Sequence, residues 1–180
     1  MNELMKKARA GEPLTDFEIL DLHGHLGPIN FAIPDAAPEA VTRTMDRLGV
    51  RSIVCSAMSC LTPSMDAVRA GNDALYAAMR ACPGRILGYI SLYAESAAAV
   101  GAETERCLAL GFTGIKLHNS NGCAYDHPAY APAYEWAHRC HLPVLLHTWG
   151  DPPVMAQVGR MARRYPAAVF LLAHTGAGDM

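Results

Sequence analysis

Histidines stand at or near the carboxyl ends of several short apolar segments of this 180-residue chain. The positions are His23 and His25, then His118, His147 and His174. Because alternate residues of a β-strand point to the same side, His23 and His25 can bind one ion together. Imidazole is the commonest metal ligand near neutral pH, and several imidazoles on one rim suit Zn²⁺ or a similar divalent ion. The pattern therefore predicts a metal centre.

A lysine accompanies these histidines. Lys116 lies two residues before His118 in an apolar segment, so the two side chains share one face of a predicted strand. An inward-facing lysine is costly unless it has a partner, which favours a functional role; the alternative is an ordinary lysine whose amine reaches solvent. His127, His138 and His141 lie in predicted loops or helices, and we expect structural roles for them.

The segments that position these residues alternate between apolar runs and longer alanine-rich stretches with helical spacing. The predicted strands are Glu18–His23, Arg51–Cys55, Ile86–Ser91, Thr113–His118, Pro143–His147 and Ala168–His174. The predicted helices are Pro38–Leu48, Met65–Ala81, Ala94–Leu110, Ala129–Arg139 and Pro153–Tyr165. Runs such as 143–146 and 169–172 are apolar on both faces, which is typical of a parallel sheet covered by helices.

Two architectures repeat a strand and a helix in this way, an open doubly wound sheet and an eight-stranded barrel. Both place function at the carboxyl ends of the strands, where the histidines lie. The chain has no Gly-x-Gly-x-x-Gly motif after its first predicted strand and no phosphate-binding loop, so a nucleotide-binding fold ranks last. Periodicity alone leaves the choice between the two architectures open.

The composition is that of an ordinary globular domain, with 51% hydrophobic and 18% charged residues and a net charge of −2. The absence of a basic run argues against nucleic acid or an anionic membrane as partner and favours a small-molecule substrate. The six cysteines form no Cys-x-x-Cys pair, which predicts reduced thiols. Without a signal peptide or a long apolar run, we expect one cytoplasmic domain over residues 1–180.

Four segments resemble consecutive parts of the amidohydrolase superfamily, in its amidohydrolase-2 branch. They are Asp21-Leu22-His23-Gly24-His25-Leu26-Gly27, Gly114-Ile115-Lys116-Leu117-His118, Leu142-Pro143-Val144-Leu145-Leu146-His147-Thr148 and Leu172-Ala173-His174-Thr175-Gly176. The resemblance implies an α/β fold, a (β/α)₈ barrel of the TIM type, with a centre of one or two metal ions. By the same resemblance, the metal ligands are His23, His25, His147 and His174.

One departure from the family pattern stands out. The family completes its centre with an aspartate at the end of an eighth strand, whereas this chain reaches Met180 just after its sixth predicted strand. We therefore expect an incomplete barrel of about six βα units, shorter by roughly 60–80 residues than the roughly 250 of a typical barrel. Asp179 follows His174 too closely to replace that aspartate. The open edges of such a sheet could pair with a second copy, giving a homo-oligomer.

The resemblance implies a metal-dependent hydrolase that uses activated water to cleave a C–N or C–O bond, as in an amide, a lactone or a related ester. His174 and Lys116 are the expected catalytic groups, and His118 is expected to bind substrate. In relatives with two metal ions, a lysine equivalent to Lys116 is carboxylated. Zinc is the expected metal, with manganese or iron as alternatives. The alternative functions are non-oxidative decarboxylation and a non-catalytic fragment.

The segment after the fourth predicted strand, 119–126, is rich in turn-forming residues. Segments of this kind often carry binding residues, so it is a candidate substrate loop. A plain surface connection is an equally good interpretation of the same residues.

Overall fold

The computed structural model describes residues 3–14, 16–27 and 36–176; Asp179 lies outside these ranges. Six strands alternate with helices along the chain. The strands are β1 (Ile19–Leu26), β2 (Val50–Ala57), β3 (Ile86–Ser91), β4 (Gly114–Leu117), β5 (Pro143–Leu146) and β6 (Val169–Leu172). The helices are α1 (Glu3–Ala10), α2 (Pro38–Leu48), α3 (Met65–Ala81), α4 (Ala97–Ala109), α5 (Ala131–Cys140) and α6 (Pro152–Arg164). Short 3₁₀ turns cover Met58–Leu61, Asn119–Asn121, Pro128–Tyr130 and Ala173–Gly176.

The order of the strands decides between the two predicted architectures. Each strand pairs in parallel with the next strand in the chain, so the sheet order is β1-β2-β3-β4-β5-β6. A doubly wound sheet reverses direction at a switch point, whereas a barrel adds its strands in one direction. The sheet also curls, because the ring centroids of His23 on β1 and His174 after β6 are 5.3 Å apart although these strands form opposite edges. The predicted incomplete (β/α)₈ barrel is confirmed.

Alternate residues of the strands face two separate hydrophobic clusters. The larger cluster lies between the sheet and the helices and includes Ile90, Ile115 and Leu117. The smaller one lies inside the curl and contains Val54, Tyr89, Leu145 and Ala173. The interior is therefore apolar at the level of Tyr89 and becomes polar toward the carboxyl ends of the strands.

Most predicted elements occur close to their predicted bounds, but β1 differs. The sequence predicts that β1 ends at His23, whereas pairing with β2 continues through Leu26. Gly24 allows this, since a Cβ atom there would lie 2.6 Å from the side chain of Ile53 and 2.7 Å from that of Cys55. The glycine is thus a point of close approach between two strands, and not the end of one.

Two further differences, in α4 and β4, arise from local capping. Helix α4 begins at Ala97, and not at the predicted Ala94, because the backbone N–H of Ala99 donates to Ser96 Oγ at 3.1 Å. Strand β4 ends before His118, whose Nδ1 accepts from Ser120 N at the start of a 3₁₀ turn. Helix α1 has no counterpart in the prediction, and none of its described residues is buried.

Two other expectations can be compared with the structure. All six cysteines are free thiols, as predicted. Over the described ranges, no helix has the length and apolar character needed to cross a membrane.

A buried polar network joins α3 and α4 behind β3. Glu103 is fully buried and accepts hydrogen bonds from Asn72 Nδ2 at 2.8 Å, from Arg106 and from the thiol of Cys107. Asn72 also donates to the carbonyl of Ser91 and accepts from its N–H, both at 3.0 Å. The network thereby fixes the backbone at the carboxyl end of β3 to the helices.

Replacing Glu103 by Gln should lower the free energy of unfolding at pH 7 by about 1.5–3 kcal/mol, because charge-assisted hydrogen bonds are lost in a buried site. Burial alone would raise the pKa of Glu103, but hydrogen bonds from Arg106, Asn72 and Cys107 lower it below 4.5 overall. The carboxylate therefore stabilises the fold fully above about pH 4.5, and this contribution is lost as pH falls through the lowered pKa. Urea denaturation at pH 7 and pH 4 measures both effects.

Glu105→Gln is the matched control, since Glu105 is an exposed residue of the same helix. The Glu105 variant should unfold like the parent protein at both pH values. Equal stability of the Glu103 variant and the parent at pH 7 would contradict the role assigned to the network.

Candidate active site

Five histidines from different strands meet at the carboxyl ends of the sheet. His23 and His25 on β1 have ring centroids 5.0 Å apart. His147, after β5, lies 4.9 Å from His174 and stacks on His118 at 3.9 Å. Because neighbouring strands are parallel and in sequential order, residues far apart in sequence reach one rim. The structure thus brings together all the histidines that the sequence selects for a site.

Hydrogen bonds orient several of these rings. Ser56 Oγ and His25 Nδ1 are 3.0 Å apart, and Nδ1 of His118 accepts from the N–H of Ser120 at 3.2 Å. His174 Nε2 and His147 Nδ1 are 3.3 Å apart. His23 differs, because its Nε2 is buried and has no hydrogen-bond partner within the described residues. A buried nitrogen of this kind is costly unless something binds to it.

Lys116 projects into the interior of the curl from the middle of this group. Its neighbours Ile115 and Leu117 pack on the opposite side, in the cluster against the helices. The lysine is fully buried, and its Nζ has no hydrogen-bond partner in the described part of the chain. Burial lowers the pKa of Lys116 to about 8, with the nearby Cys60 thiol acting in the opposite direction.

The histidine pKa values follow from this arrangement. Burial and then the positive charge of Lys116 lower the pKa values of His23, His25 and His147 to about 4. For His118, burial, His147 and Lys116 lower the pKa to about 3. All four rings are therefore neutral at pH 7, which is the protonation state needed for an imidazole to bind a metal ion.

His174 differs from the other rings in exposure and backbone conformation. It is exposed, and its φ of +57° lies in the left-handed region that residues with a Cβ atom rarely adopt. Its ring stacks on that of Trp149 with centroids 4.2 Å apart, and Trp149 is itself 65% exposed. The unusual backbone turns the His174 side chain toward the rim, since its ring contacts both His23 and His147.

The other histidines make local structural contacts. His127 Nδ1 accepts from Ala129 N, and His138 Nδ1 accepts from the N–H of Ala167. His141 follows the end of α5 in a left-handed conformation, which is common at helix ends. These contacts agree with the structural roles expected from the sequence.

The segment 119–126 is more firmly packed than a plain surface connection. Asn121 and Tyr125 are buried, and the Tyr125 hydroxyl donates to the carbonyl of His147. Asp126 pairs with Arg160 of α6. The segment therefore supports the position of His147; a role in substrate binding stays a prediction.

The side chains of the rim are of the kind that binds a divalent metal ion. The rim supplies neutral imidazoles, including the unpartnered buried Nε2 of His23, and imidazole suits zinc and other first-row ions. As the side chains stand, no three His, Cys, Asp or Glu residues of the described ranges are grouped so that they could hold a metal ion. The rings instead contact one another, so binding would require side-chain rotation.

One protein-family model matches most of this chain. The amidohydrolase model Amidohydro_2 matches residues 21–180. The chain belongs to the amidohydrolase family. The match begins at Asp21, just before the first histidine pair, and includes every histidine and the lysine of the rim. A comparison with curated proteins found no match.

Solved structures show the same fold at low identity. 2,6-Dihydroxybenzoate decarboxylase from Rhizobium has 19% identity and a TM-score of 0.68, covering 89% of this chain and 67% of its own. 5-Carboxyvanillate decarboxylase from Novosphingobium aromaticivorans, complexed with manganese and a nitrobenzoic acid, has 15% identity and a TM-score of 0.71, with coverages of 92% and 68%. A protein described as a 2-pyrone-4,6-dicarboxylic acid hydrolase, from Acinetobacter baumannii, has 18% identity and a TM-score of 0.64, with coverages of 87% and 58%.

The chain thus spans 58–68% of the length of these three structures. At such identities the likeness shows the fold alone. It supports the curled sheet of six strands.

Two serines on the same inner face are absent from the site that the sequence predicts. Ser56 lies one residue beyond the predicted end of β2, and Ser91 is the last residue of β3. Both are fully buried, and the Ser91 hydroxyl has no hydrogen-bond partner within the described residues. Ser91 could have been found by the rule that selected the histidines, because it ends a correctly predicted strand.

Replacing Lys116 by Met should raise the pKa values of His23, His25 and His147 in chelator-treated protein, because a positive charge that opposes their protonation is removed. The values should remain below 6.5, since burial is the larger cause and persists in the variant. Titration of ¹⁵N-labelled histidine side chains by NMR measures the change.

Lys6→Met is the control, because it removes a positive charge from the exposed helix α1. This variant should leave the rim histidines unchanged. Rim pKa values that do not respond to Lys116→Met would show that the lysine lies farther from the rings than described.

Proposed function

We propose that this chain carries the histidine centre of a metal-dependent hydrolase that cleaves a C–N or C–O bond of a small molecule, as in an amide, a lactone or a related ester. The observation that carries the proposal is the convergence of His23, His25 and His147 at the carboxyl edge of an amidohydrolase sheet. Active sites of such barrels lie at this edge.

The residues that would hold the metal are His23, His25, His147 and His174. The buried Nε2 of His23 has no other partner among the described residues, and three of these rings are neutral at pH 7. Zinc is the first choice for imidazole donors, with manganese or iron as alternatives, and the 5-carboxyvanillate decarboxylase structure contains manganese. A bound divalent ion would supply Lewis acidity, which activates water and polarises the bond to be cleaved.

The chain's own residues then have separate tasks. When Nδ1 of His25 carries the proton and donates it to Ser56 Oγ, 3.0 Å away, Nε2 is left free as a ligand, so Ser56 is a positioning residue. His174 can pass a proton between the substrate and solvent, because its ring is exposed beside the buried ones. Lys116 on β4 and His118 just after it would contact the substrate, since they share one face of the strand.

Non-oxidative decarboxylation is the second candidate. Several structurally similar proteins are decarboxylases of aromatic carboxylates, including those from Rhizobium and Novosphingobium. The same histidines would serve this reaction by holding the metal that binds the substrate carboxylate. The two reactions differ in the fate of water, which an isotope experiment can follow.

The 180-residue chain should retain about one equivalent of zinc, manganese or iron, and the double variant His23→Ala/His25→Ala should lose it, because two imidazole ligands are removed. Elemental analysis of the monodisperse fraction from size-exclusion chromatography measures the content. Ser56→Ala should still bind metal, with affinity lowered about tenfold through loss of ring orientation.

The matched control is His127→Asn/His141→Asn, which removes two histidines outside the rim. Asn suits both positions, since it caps helices and tolerates the left-handed conformation of His141. If the parent protein is soluble and folded but contains no metal, the result counts against the proposed function. It then favours the alternative that the chain is non-catalytic.

In water enriched in ¹⁸O, hydrolysis should place one ¹⁸O atom in the product of a turned-over lactone or amide, because water is the nucleophile. Mass spectrometry of the products detects it, and a parallel assay measures CO₂ released from aromatic carboxylates. CO₂ release without ¹⁸O in the organic product would exclude hydrolysis and establish the decarboxylase alternative. His174→Ala should slow either reaction on metal-loaded protein about 10²-fold or more if it transfers the proton.

A further inference from the structure

His174 reaches the rim from the edge of the sheet. It follows β6, which ends the strand order and pairs with β5. The residue is exposed and lies in a 3₁₀ turn with a φ of +57°. An exposed side chain keeps its rotational freedom unless neighbouring groups restrict it. The contacts that hold His174 therefore decide how well its ring is placed at the rim.

Three consecutive residues after β5 contact the turn after β6. Nδ1 of His147 lies 3.3 Å from Nε2 of His174. The hydroxyl of Thr148, which is buried, donates to the carbonyl of Ala173 at 2.8 Å. The indole of Trp149 stacks on the His174 ring, with centroids 4.2 Å apart and an angle of 8° between the planes. Thr148 thus fixes the backbone just before His174, and Trp149 covers one face of its ring.

Core packing does not explain the position of Trp149. The residue is 65% exposed, more than Phe17 at 57%. Each ring contact of Trp149 within the described ranges involves the rim, either the stack on His174 or an edge-on contact with His147 at 5.5 Å. A tryptophan this exposed buries little apolar surface, so it contributes little to the stability of the fold. Its contacts point to a role at the rim.

The stack restricts the His174 ring to one orientation. An exposed imidazole changes rapidly among several side-chain conformers, because water can satisfy its nitrogens in each of them. Turning the ring away from the indole would break the stack, and aromatic pairs of this kind favour their contact arrangement by about two- to tenfold. The stack therefore keeps Nε2 of His174 directed toward His147 and the rim.

We infer that Trp149 is a positioning residue that holds the His174 ring in place at the histidine rim. Thr148 assists by fixing the turn that carries His174. The inference rests on the proposed function, because it assigns a support to a residue that would bind metal and pass a proton there. Trp149 acts through His174 in this role, and not as a ligand.

The ring current of the indole reports the stack without metal or substrate. In chelator-treated protein, the carbon-bound ring protons of His174 should be shifted upfield, because they lie against the indole face. Trp149→Leu should return them to the values of an unstacked histidine. Trp149→Phe should keep part of the upfield shift, since a smaller ring can still stack. NMR spectra of protein labelled with ¹³C-histidine measure the shift, and His174→Ala identifies the signals.

Zinc affinity tests whether the held orientation matters to the rim. Trp149→Leu should weaken Zn²⁺ binding about two- to tenfold, because the ring is no longer preorganised. Trp149→Phe should restore most of the affinity. When His174→Ala is already present, Trp149→Leu should cause no further loss, since Trp149 acts through His174. Competition with a chromophoric chelator measures the affinity of each variant.

Trp136→Leu is the matched control, because Trp136 lies on helix α5 beneath the guanidinium of Arg139, which stands 3.8 Å from the ring centroid. This variant should leave the His174 signals and the zinc affinity unchanged. Trp149→Leu should melt close to the temperature of the parent, because the replaced side chain is largely exposed. A weaker affinity at an unchanged melting temperature shows that lost binding is not caused by unfolding.

Three results would overturn the inference: His174 signals that do not change in Trp149→Leu, zinc affinity that does not change in that variant, or an equal loss of affinity with and without His174. Failure of the proposed function looks different. A parent protein that shows the upfield His174 signals but retains no zinc keeps the stack and loses the metal-dependent reaction. A parent protein that binds zinc equally well without the indole keeps the metal centre and loses the role of Trp149.

Discussion

Parallel pairing of each strand with the next strand in the chain is the constraint on which the site depends. It places all six carboxyl ends on one edge of the sheet, and the curl brings the edge strands β1 and β6 close enough for His23 and His174 to contact each other. The parallel pairing also requires the close approach of β1 and β2 at Gly24, because a side chain there would push the two strands apart. The histidine rim follows from strand geometry before any metal chemistry is considered.

The apolar side chains that stabilise the fold and the polar side chains of the candidate site lie at different depths and on different faces of the sheet. Apolar side chains fill the space between sheet and helices and the interior around Tyr89, while Lys116 and Ser91 occupy the inner face nearer the carboxyl ends. The Lys116 amine and the Ser91 hydroxyl, which have no partner within the described residues, lower stability, whereas the Glu103 network behind β3 satisfies its buried charge. Such exceptions to good packing are expected where a fold carries a binding site.

Much of this arrangement could be predicted from the sequence, because its signals are local. Helices α2 and α3 and strand β3 have their predicted bounds, since capping residues, proline and glycine mark them. The histidines of the site were selected by their position after apolar runs. The extension of β1 past Gly24 could not be predicted, because the need for glycine arises from Ile53 and Cys55 on the neighbouring strand. Likewise, the left-handed backbone of His174 has no sequence signal, and the hydrogen bonds that fix the backbone of Ser91 come from Asn72, nineteen residues away.

Differences in exposure explain how one small site can hold groups with opposite requirements. A residue that passes protons needs access to water, and His174 has it, with a ring held between exposed Trp149 and the inner histidines. An ammonium interacts most strongly with neighbouring charges where water is excluded, and Lys116 is fully buried. The rings of His23, His25 and His147 are neutral at pH 7 and add no positive charge that would compete with a metal ion. Under the proposed function, a substrate would therefore present its reacting bond to the rim near β6, where the exposed ring of His174 stands.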